Sequence, residues 1–335
     1  MIMISNKMRA LKVIIRIVVL LGLLFLIGFF FPHEQKEQVN LATDNFPDPT
    51  GIYEQGTYYA YATSAEGLNI PLARSKSGKN YQIVGDALPA LPDWAQGSIW
   101  APHISQVGKR YLLYFSAIDK KSKKRSIGLA WANKAQGPFK AEEKRVATDN
   151  SAGGLIDPDT FQDKDGQNYL LYKNDGNAIG KTSSLWLQKL SKNGLEVTGK
   201  AERLLTNTEV ANPNDNGKAG VVSTIEGPYL TKAPDGTYVL LFSGNSYVTS
   251  DYFTGYAISK KLSGPYQYQG ALLTTASLKN QIVGPGGAEL VQGKGSKETL
   301  LLHGWIKGVN TAESSRQLYE LSFLWEEGHV PEVTK

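Results

Sequence analysis

From Asn45 onward the apolar residues fall in short blocks with no helical rhythm, and Gly, Pro, Asn and Asp separate the blocks roughly every 8–15 residues. Some blocks are nearly continuous: Tyr58-Tyr59-Ala60-Tyr61, Tyr111-Leu112-Leu113-Tyr114-Phe115, Tyr169-Leu170-Leu171-Tyr172, Tyr238-Val239-Leu240-Leu241-Phe242 and Leu300-Leu301-Leu302-His303. Each has a similar lead-in. Asp48-Pro49-Thr50-Gly51-Ile52 and Gly56 precede the first, and Trp100-Ala101-Pro102-His103-Ile104 and Gly108 the second. Ile156-Asp157-Pro158-Asp159-Thr160-Phe161 and Asp165-Gly166 precede the third, Glu226-Gly227-Pro228-Tyr229-Leu230 and Asp235-Gly236 the fourth. Gly286-Gly287-Ala288-Glu289-Leu290 and Gly293 form a weaker fifth copy. A Gly-containing turn between two strand-like runs predicts a β-hairpin.

Other blocks form a second half to each unit. Ile127-Gly128-Leu129-Ala130-Trp131-Ala132 leads to Gly137-Pro138-Phe139, and Gly255-Tyr256-Ala257-Ile258-Ser259 leads to Gly264-Pro265-Tyr266. Leu185 to Leu190 and Gln317 to Phe323 alternate apolar with polar residues, as strands do. A unit is therefore two hairpins, or four strands, and five units repeat about every 50–70 residues. The pattern predicts an all-β fold, a five-bladed β-propeller over residues 45–335, with a long loop at residues 205–224.

The N-terminus is different. Lys7, Arg9 and Lys12 precede Val13 to Phe31, a run that is apolar except for Arg16. Basic residues before an apolar core predict a signal peptide or signal anchor over residues 1–32, followed by a polar linker over 33–44. No small-residue cleavage signature follows, which favours the anchor. Either way the remainder is expected outside the cytoplasm, with the membrane touched only through the N-terminal segment.

Composition narrows the chemistry. The 335 residues contain 34 Gly, 15 Pro and 17 Tyr, which suits a turn-rich β protein, and no Cys, which excludes disulfides, thiolate metal sites and a lipidated cysteine. A formal net charge of +5 is too small an excess to predict a nucleic-acid partner, and the run from Lys120 to Arg125 reads as a hairpin tip.

In a propeller the innermost strands begin near the axis at one face, so their first residues converge. Asp48, Asp157 and Glu226 are expected at that position in units one, three and four. Three carboxylates in one funnel repel each other and separate their pKa values, so one stays protonated while another is ionised. That is the requirement for glycoside hydrolysis. Trp100 opens the second inner strand, where its indole would face the funnel and stack on a sugar. Trp131, Trp186 and Trp325 lie in later strands and are assigned to packing.

With Pro47-Asp48-Pro49, Trp100-Ala101-Pro102, Ile156-Asp157-Pro158, Glu226-Gly227-Pro228, Gly255-Tyr256-Ala257 with Gly264-Pro265-Tyr266, and Gly284-Pro285-Gly286-Gly287-Ala288 in order, the chain resembles glycoside hydrolase family 43 from about Asn45 to Val333. The resemblance implies a five-bladed propeller acting on arabinose- or xylose-containing polysaccharides with inversion. It implies Asp48 as general base, Glu226 as general acid and Asp157 as the carboxylate that orients the acid and raises its pKa. Base and acid of an inverting enzyme stand about 6.5–9.5 Å apart. Arg316 would reach the sugar of the innermost subsite. His303 would lie near the axis by a calcium or sodium ion; no cofactor is expected in the chemistry itself. His103 stands where the family more usually has an acid. Two alternatives stay open: a non-catalytic carbohydrate-binding propeller, and a fructoside-cleaving propeller, whose motif Asn45 to Thr50 matches poorly. The chain as given stops just after the fifth unit, without the β-sandwich that xylosidases of the family often carry, which tilts the expectation towards arabinan.

Overall fold

The computed structural model describes residues 40–334 apart from 44, 215–219, 307, 310, 312 and 313. The apolar segment Val13 to Phe31 and residues 33–39 of the expected linker lie outside the described residues. Among the described residues no helix is long and apolar enough to cross a membrane.

The first strand, β1 (Asn40–Thr43), belongs to the last blade. Blade one is β2 (Thr50–Glu54), β3 (Thr57–Tyr61), β4 (Pro71–Ser75) and β5 (Gln82–Asp86). Blade two is β6 (Ala95–Val107), β7 (Arg110–Asp119), β8 (Arg125–Ala132) and β9 (Lys140–Ala141). Blade three is β10 (Leu155–Gln162), β11 (Asn168–Asn174), β12 (Ser184–Leu190) and β13 (Val197–Thr206). Blade four is β14 (Ile225–Lys232), β15 (Tyr238–Gly244), β16 (Phe253–Ser259) and β17 (Gln267–Leu273). Blade five holds β18 (Val283–Gln292), β19 (Glu298–Ile306), β20 (Ser315–Glu326) and β21 (Val330–Thr334). Every pairing is antiparallel, and each inner strand touches the inner strands of both neighbours, so β2, β6, β10, β14 and β18 close a ring.

The outer edge of β20 is shared. β1 pairs with Leu318 to Glu320 and β21 with Ser322 to Glu326. Strands from both ends of the propeller thus complete one sheet, and residues 40–43 of the expected linker are part of the fold.

The continuous apolar runs are the second strands, and both of their faces are buried. In β7, Leu113 and Phe115 pack towards blade one while Leu112 and Tyr114 pack towards blade three. In β15, Leu240 and Phe242 face blade three while Val239 and Leu241 face blade five. Leu300 and Leu302 face blade four, and Leu301 closes the ring against blade one. Successive side chains of a strand point to opposite faces, so a strand between two blades has no polar face to alternate with. The long connection after β13 also contributes: Val210 and Val222 are buried in the core between blades three and four.

Candidate active site

Each inner strand carries the same turn. Its central residue is left-handed: Asp48 at φ 51°, Ala101 at 40°, Asp157 at 53°, Gly227 at 56° and Gly287 at 60°. Pro49, Pro102, Pro158, Pro228 and Ala288 follow. The strand register is interrupted at this point in blades two to five, as at a β-bulge, which re-aims side chains. Left-handed backbone at a residue with a Cβ is costly and persists only where neighbours enforce it. Here the enforcing contact comes from the second strand of the previous blade or, for Thr63, from just beyond its end. The amide of Ala101 donates to Thr63 Oγ1 at 2.8 Å, that of Asp157 to Ser116 Oγ at 3.1 Å, that of Gly287 to Ser243 Oγ at 2.8 Å, and that of Asp48 to His303 Nδ1 at 3.0 Å.

This register corrects one expectation. Asp48 and Asp157 are equivalent, but Glu226 stands one residue earlier, at the position of Trp100, Ile156 and Gly286. In blade four the left-handed position is taken by Gly227. Glu226 therefore enters the site from the end of the strand rather than from the turn.

The three carboxylates nevertheless line one cavity of about 160 Å³, together with Thr63, Trp100, Tyr247, Tyr252 and Arg316. Asp48 Oδ1 accepts from Arg316 Nη1 at 2.8 Å, and Oδ2 from Thr63 Oγ1 at 2.6 Å. Burial would raise its pKa, but the Arg316 guanidinium and the Thr63 hydroxyl together hold it below the ordinary carboxylate value. Asp157 behaves oppositely. Burial and the charge of Glu226 push it up to about 7, against Lys173 and a 3.0 Å hydrogen bond from the Gly227 amide. Glu226 is held at both oxygens, Oε2 by Lys173 Nζ at 3.0 Å and Oε1 by the Tyr252 hydroxyl at 2.9 Å. One carboxylate held ionised and a second raised to about 7 in the same cavity is an arrangement suited to acid–base chemistry.

The rim is aromatic. Trp100 is 40% exposed, and the Arg125 guanidinium lies 3.2 Å from its ring centroid, fixing the indole from one side. Tyr247 is 43% exposed, with the Arg316 guanidinium 4.7 Å from its ring. Arg316 thus lies in the cavity, bound to Asp48, and is not a surface ion pair. Trp131, Trp186 and Trp325 pack against the inter-blade cores.

His303 is fully buried, and burial and Arg316 keep it neutral, with its pKa lowered to about 3. Its Nδ1 accepts the Asp48 amide, which leaves the ring proton on Nε2, a buried atom with no hydrogen-bond partner. The ring therefore presents a donor, not a lone pair. It fits a buried water; the other tautomer, with its proton on Nδ1 facing Asp48 Oδ1 at 3.3 Å, would leave the Nε2 lone pair for a cation. The His/Asp/Glu cluster that could gather round an ion among the described residues lies elsewhere, at His103, Asp159 and Glu289.

Those residues are two positions beyond the turn. His103 Nδ1 is 2.9 Å from Asp159 Oδ1 and 3.3 Å from Glu289 Oε2, and its Nε2 is 2.9 Å from Thr160 Oγ1. Burial opposes the charge, yet the two acids raise the imidazole to about 10, so it is an imidazolium tie between blades two, three and five. This is what the histidine does where an acid was expected: a third carboxylate there would have had no cation to meet.

Sequence reasoning missed Thr63, Lys173, Tyr247 and Tyr252. Thr63 and Lys173 had a signal, since they follow the apolar runs of their blades and stand opposite Pro47 and Ile156, the position that Ser116, Ser243 and His303 hold in the other blades. Tyr247 and Tyr252 lie on the β15–β16 connection and have no repeat counterpart. Tyr252 reaches Glu226 because Gly286 leaves room: a Cβ there would stand 2.1 Å from the tyrosine ring.

A model of the family described as glycosyl hydrolases family 43 matches residues 41–331. The chain is 29% identical over 268 residues to extracellular endo-alpha-(1->5)-L-arabinanase 1 of Bacillus subtilis, covering 73% of this chain and 77% of that one. It is 26% identical over 286 residues to the extracellular endo-alpha-(1->5)-L-arabinanase of Thermotoga petrophila, covering 73% of this chain and 55% of that one. It spans about half the length of that relative and of the second B. subtilis arabinanase, of which 49% is covered. Among solved structures, a thermostable family-43 glycoside hydrolase superposes with a TM-score of 0.75 at 23% identity, covering 89% of this chain and 95% of that one. An endo-1,4-beta-xylanase from Bacteroides thetaiotaomicron superposes at 0.73 and 24%, covering 89% and 97%. These two likenesses support the five-bladed fold.

Proposed function

The chain belongs to glycosyl hydrolase family 43, and on that premise we propose that it hydrolyses α-1,5-linked arabinan with inversion, using Asp48 as base and Glu226 as acid. It is a glycosidase of arabinose- or xylose-containing polysaccharide, and its chemistry needs no cofactor. The observation that carries the finer reading is the single cavity lined by Asp48, Asp157 and Glu226, with Asp48 held ionised and Asp157 raised to about 7. Asp48 takes a proton from water as that water attacks the anomeric carbon. Glu226 delivers a proton to the leaving oxygen, and Asp157 shares and tunes that proton. Asp48 and Glu226 are held by separate donors, Arg316 and Thr63 for one and Lys173 and Tyr252 for the other, so each carboxylate is fixed in its own place.

One observation favours arabinan over xylan. The first curated relatives carry arabinanase names. The cavity is smaller than the ~300–1,000 Å³ of pockets for drug-sized ligands and suits about one sugar ring, with the chain continuing over Trp100 and Tyr247. The non-catalytic alternative is disfavoured because Asp48 is held ionised while Asp157 is raised to about 7, a separation a binding module does not need. The fructoside alternative is disfavoured by the family match. Export from the cytoplasm is supported by the relatives' extracellular names and by the basic-then-apolar N-terminus; anchoring is the reading of that segment alone.

The test is reducing-sugar release from linear arabinan, branched arabinan and arabinoxylan by the protein and by Glu226→Gln. Release from arabinan that the variant lowers by about 10²–10⁴-fold is expected. Equal rates for both proteins on every polymer would remove Glu226 as the acid.

A further inference from the structure

One position in the ring of turns breaks the pattern. Thr63, Ser116, Ser243 and His303 each accept the turn amide of the following blade. In blade three the same position, opposite Ile156, is Lys173, which has nothing to accept with. Two consequences follow. The Gly227 amide of blade four turns to Asp157 Oδ2 instead. The ammonium group, 1% exposed, goes to Glu226 Oε2 at 3.0 Å, with Asp175 Oδ1 at 3.7 Å on its other side.

We propose that Lys173 is the positioning residue of the acid pair, holding Glu226 in place and limiting how tightly Glu226 and Asp157 retain their shared proton. This rests on the reading of Glu226 as the general acid. Two carboxylates crowding each other in a buried cavity would keep a proton too firmly to deliver it, because a good general acid must be able to lose its proton near the working pH. The charges around the pair come from every side. Asp157 lies on β10, Asp175 follows β11, and Tyr252 precedes β16. Asp48 stands across the cavity with Arg316, and Arg125 on β8 acts on Asp157 and Asp175. Among the described residues Lys173 is the cation in direct contact with Glu226. It does not line the cavity, so it acts through the carboxylate and not on substrate.

The experiment measures kcat and KM for arabinan hydrolysis against pH for the protein, Lys173→Met, Lys173→Arg and Glu226→Gln, with thermal melting of each. Lys173→Met is expected to move the alkaline limb of kcat/KM up by about one pH unit or more, as loss of a neighbouring opposite charge does, and to lower kcat more than it changes KM. Lys173→Arg keeps the charge and should leave the limb within a few tenths of a unit. If Lys173→Met folds and loses rate with its limb unmoved, or if Lys173→Arg moves the limb as far as Met does, the proposal is overturned. Should Lys173→Met fail to melt cooperatively, Lys173→Arg and Lys173→Gln decide by the same criterion. Full activity in Glu226→Gln would instead overturn the acid assignment, a result separable from the behaviour of the lysine variants.

Discussion

Asp157 is subject to influences of opposite sign, and their balance sets a measurable pH dependence. Burial and Glu226 raise its pKa to about 7, while Lys173 and the Gly227 amide pull it down. The proton belongs to the pair, so kcat/KM should fall as pH rises through about 7 and the shared proton is lost. Asp157→Asn removes the negative charge beside Glu226, while its carbonyl oxygen can still accept the Gly227 amide. Its alkaline limb should move to lower pH, opposite to Lys173→Met, with a lower kcat; an unmoved limb would mean that Asp157 does not act on the acid. At this scale the sequence showed which carboxylates converge. It did not show that Glu226 sits one residue earlier than the aspartates, because both spacings read as an acid shortly before a proline. The left-handed residue that distinguishes them has no signature beyond Gly227 itself.

The strand is the unit in which the repeats were legible. An apolar run after a Gly-containing turn marked every second strand correctly because both faces of the run are buried between two blades, and the buried polar residues Ser116, Lys173, Ser243 and His303 come at or after its end. The same fact predicts sensitivity to truncation. Leu241 is fully buried in β15, on its blade-five face. Leu241→Ala should cost about 2–5 kcal/mol of unfolding free energy, as large-to-small changes in packed cores do, measured as a lower denaturant midpoint at unchanged slope. The N-terminal boundary was less legible. Residues 40–43 carry too short a signal to be told from linker, and they become a strand only because β20 offers an edge.

Closure of the ring is a property of the whole molecule, and the axis is where it can be probed. The His103 imidazolium joins Asp159 of blade three to Glu289 of blade five, and Thr50 of blade one donates to Glu289 at 2.9 Å. Replacing His103 by Leu leaves two buried acids without their cation and should cost about 3–5 kcal/mol. The pH signature has a definite sign. His103 is raised from 6.5 to about 10, so its contribution is complete below about 6.5 and is lost as pH rises through about 10. Melting temperature compared at pH 6 and pH 10 should fall more for the protein than for His103→Gln; parallel falls would show that the tie carries no charge.

The sequence alone determined the fold class, the number of blades and the acids that meet at one face. Those follow from periodicities of two residues within strands and some tens of residues between units, which local composition records. It did not determine charge states, tautomers or partners. Asp48 is ionised because Arg316, 268 positions away, reaches it across the closure. His303 is a hydrogen-bond donor at Nε2 because the Asp48 amide, 255 positions away, occupies Nδ1. Lys173 meets Glu226 because blade three lies beside blade four. Each depends on groups far apart in the chain meeting in space, since Coulomb and hydrogen-bond energies are set by spatial distance, geometry and burial and not by separation along the chain.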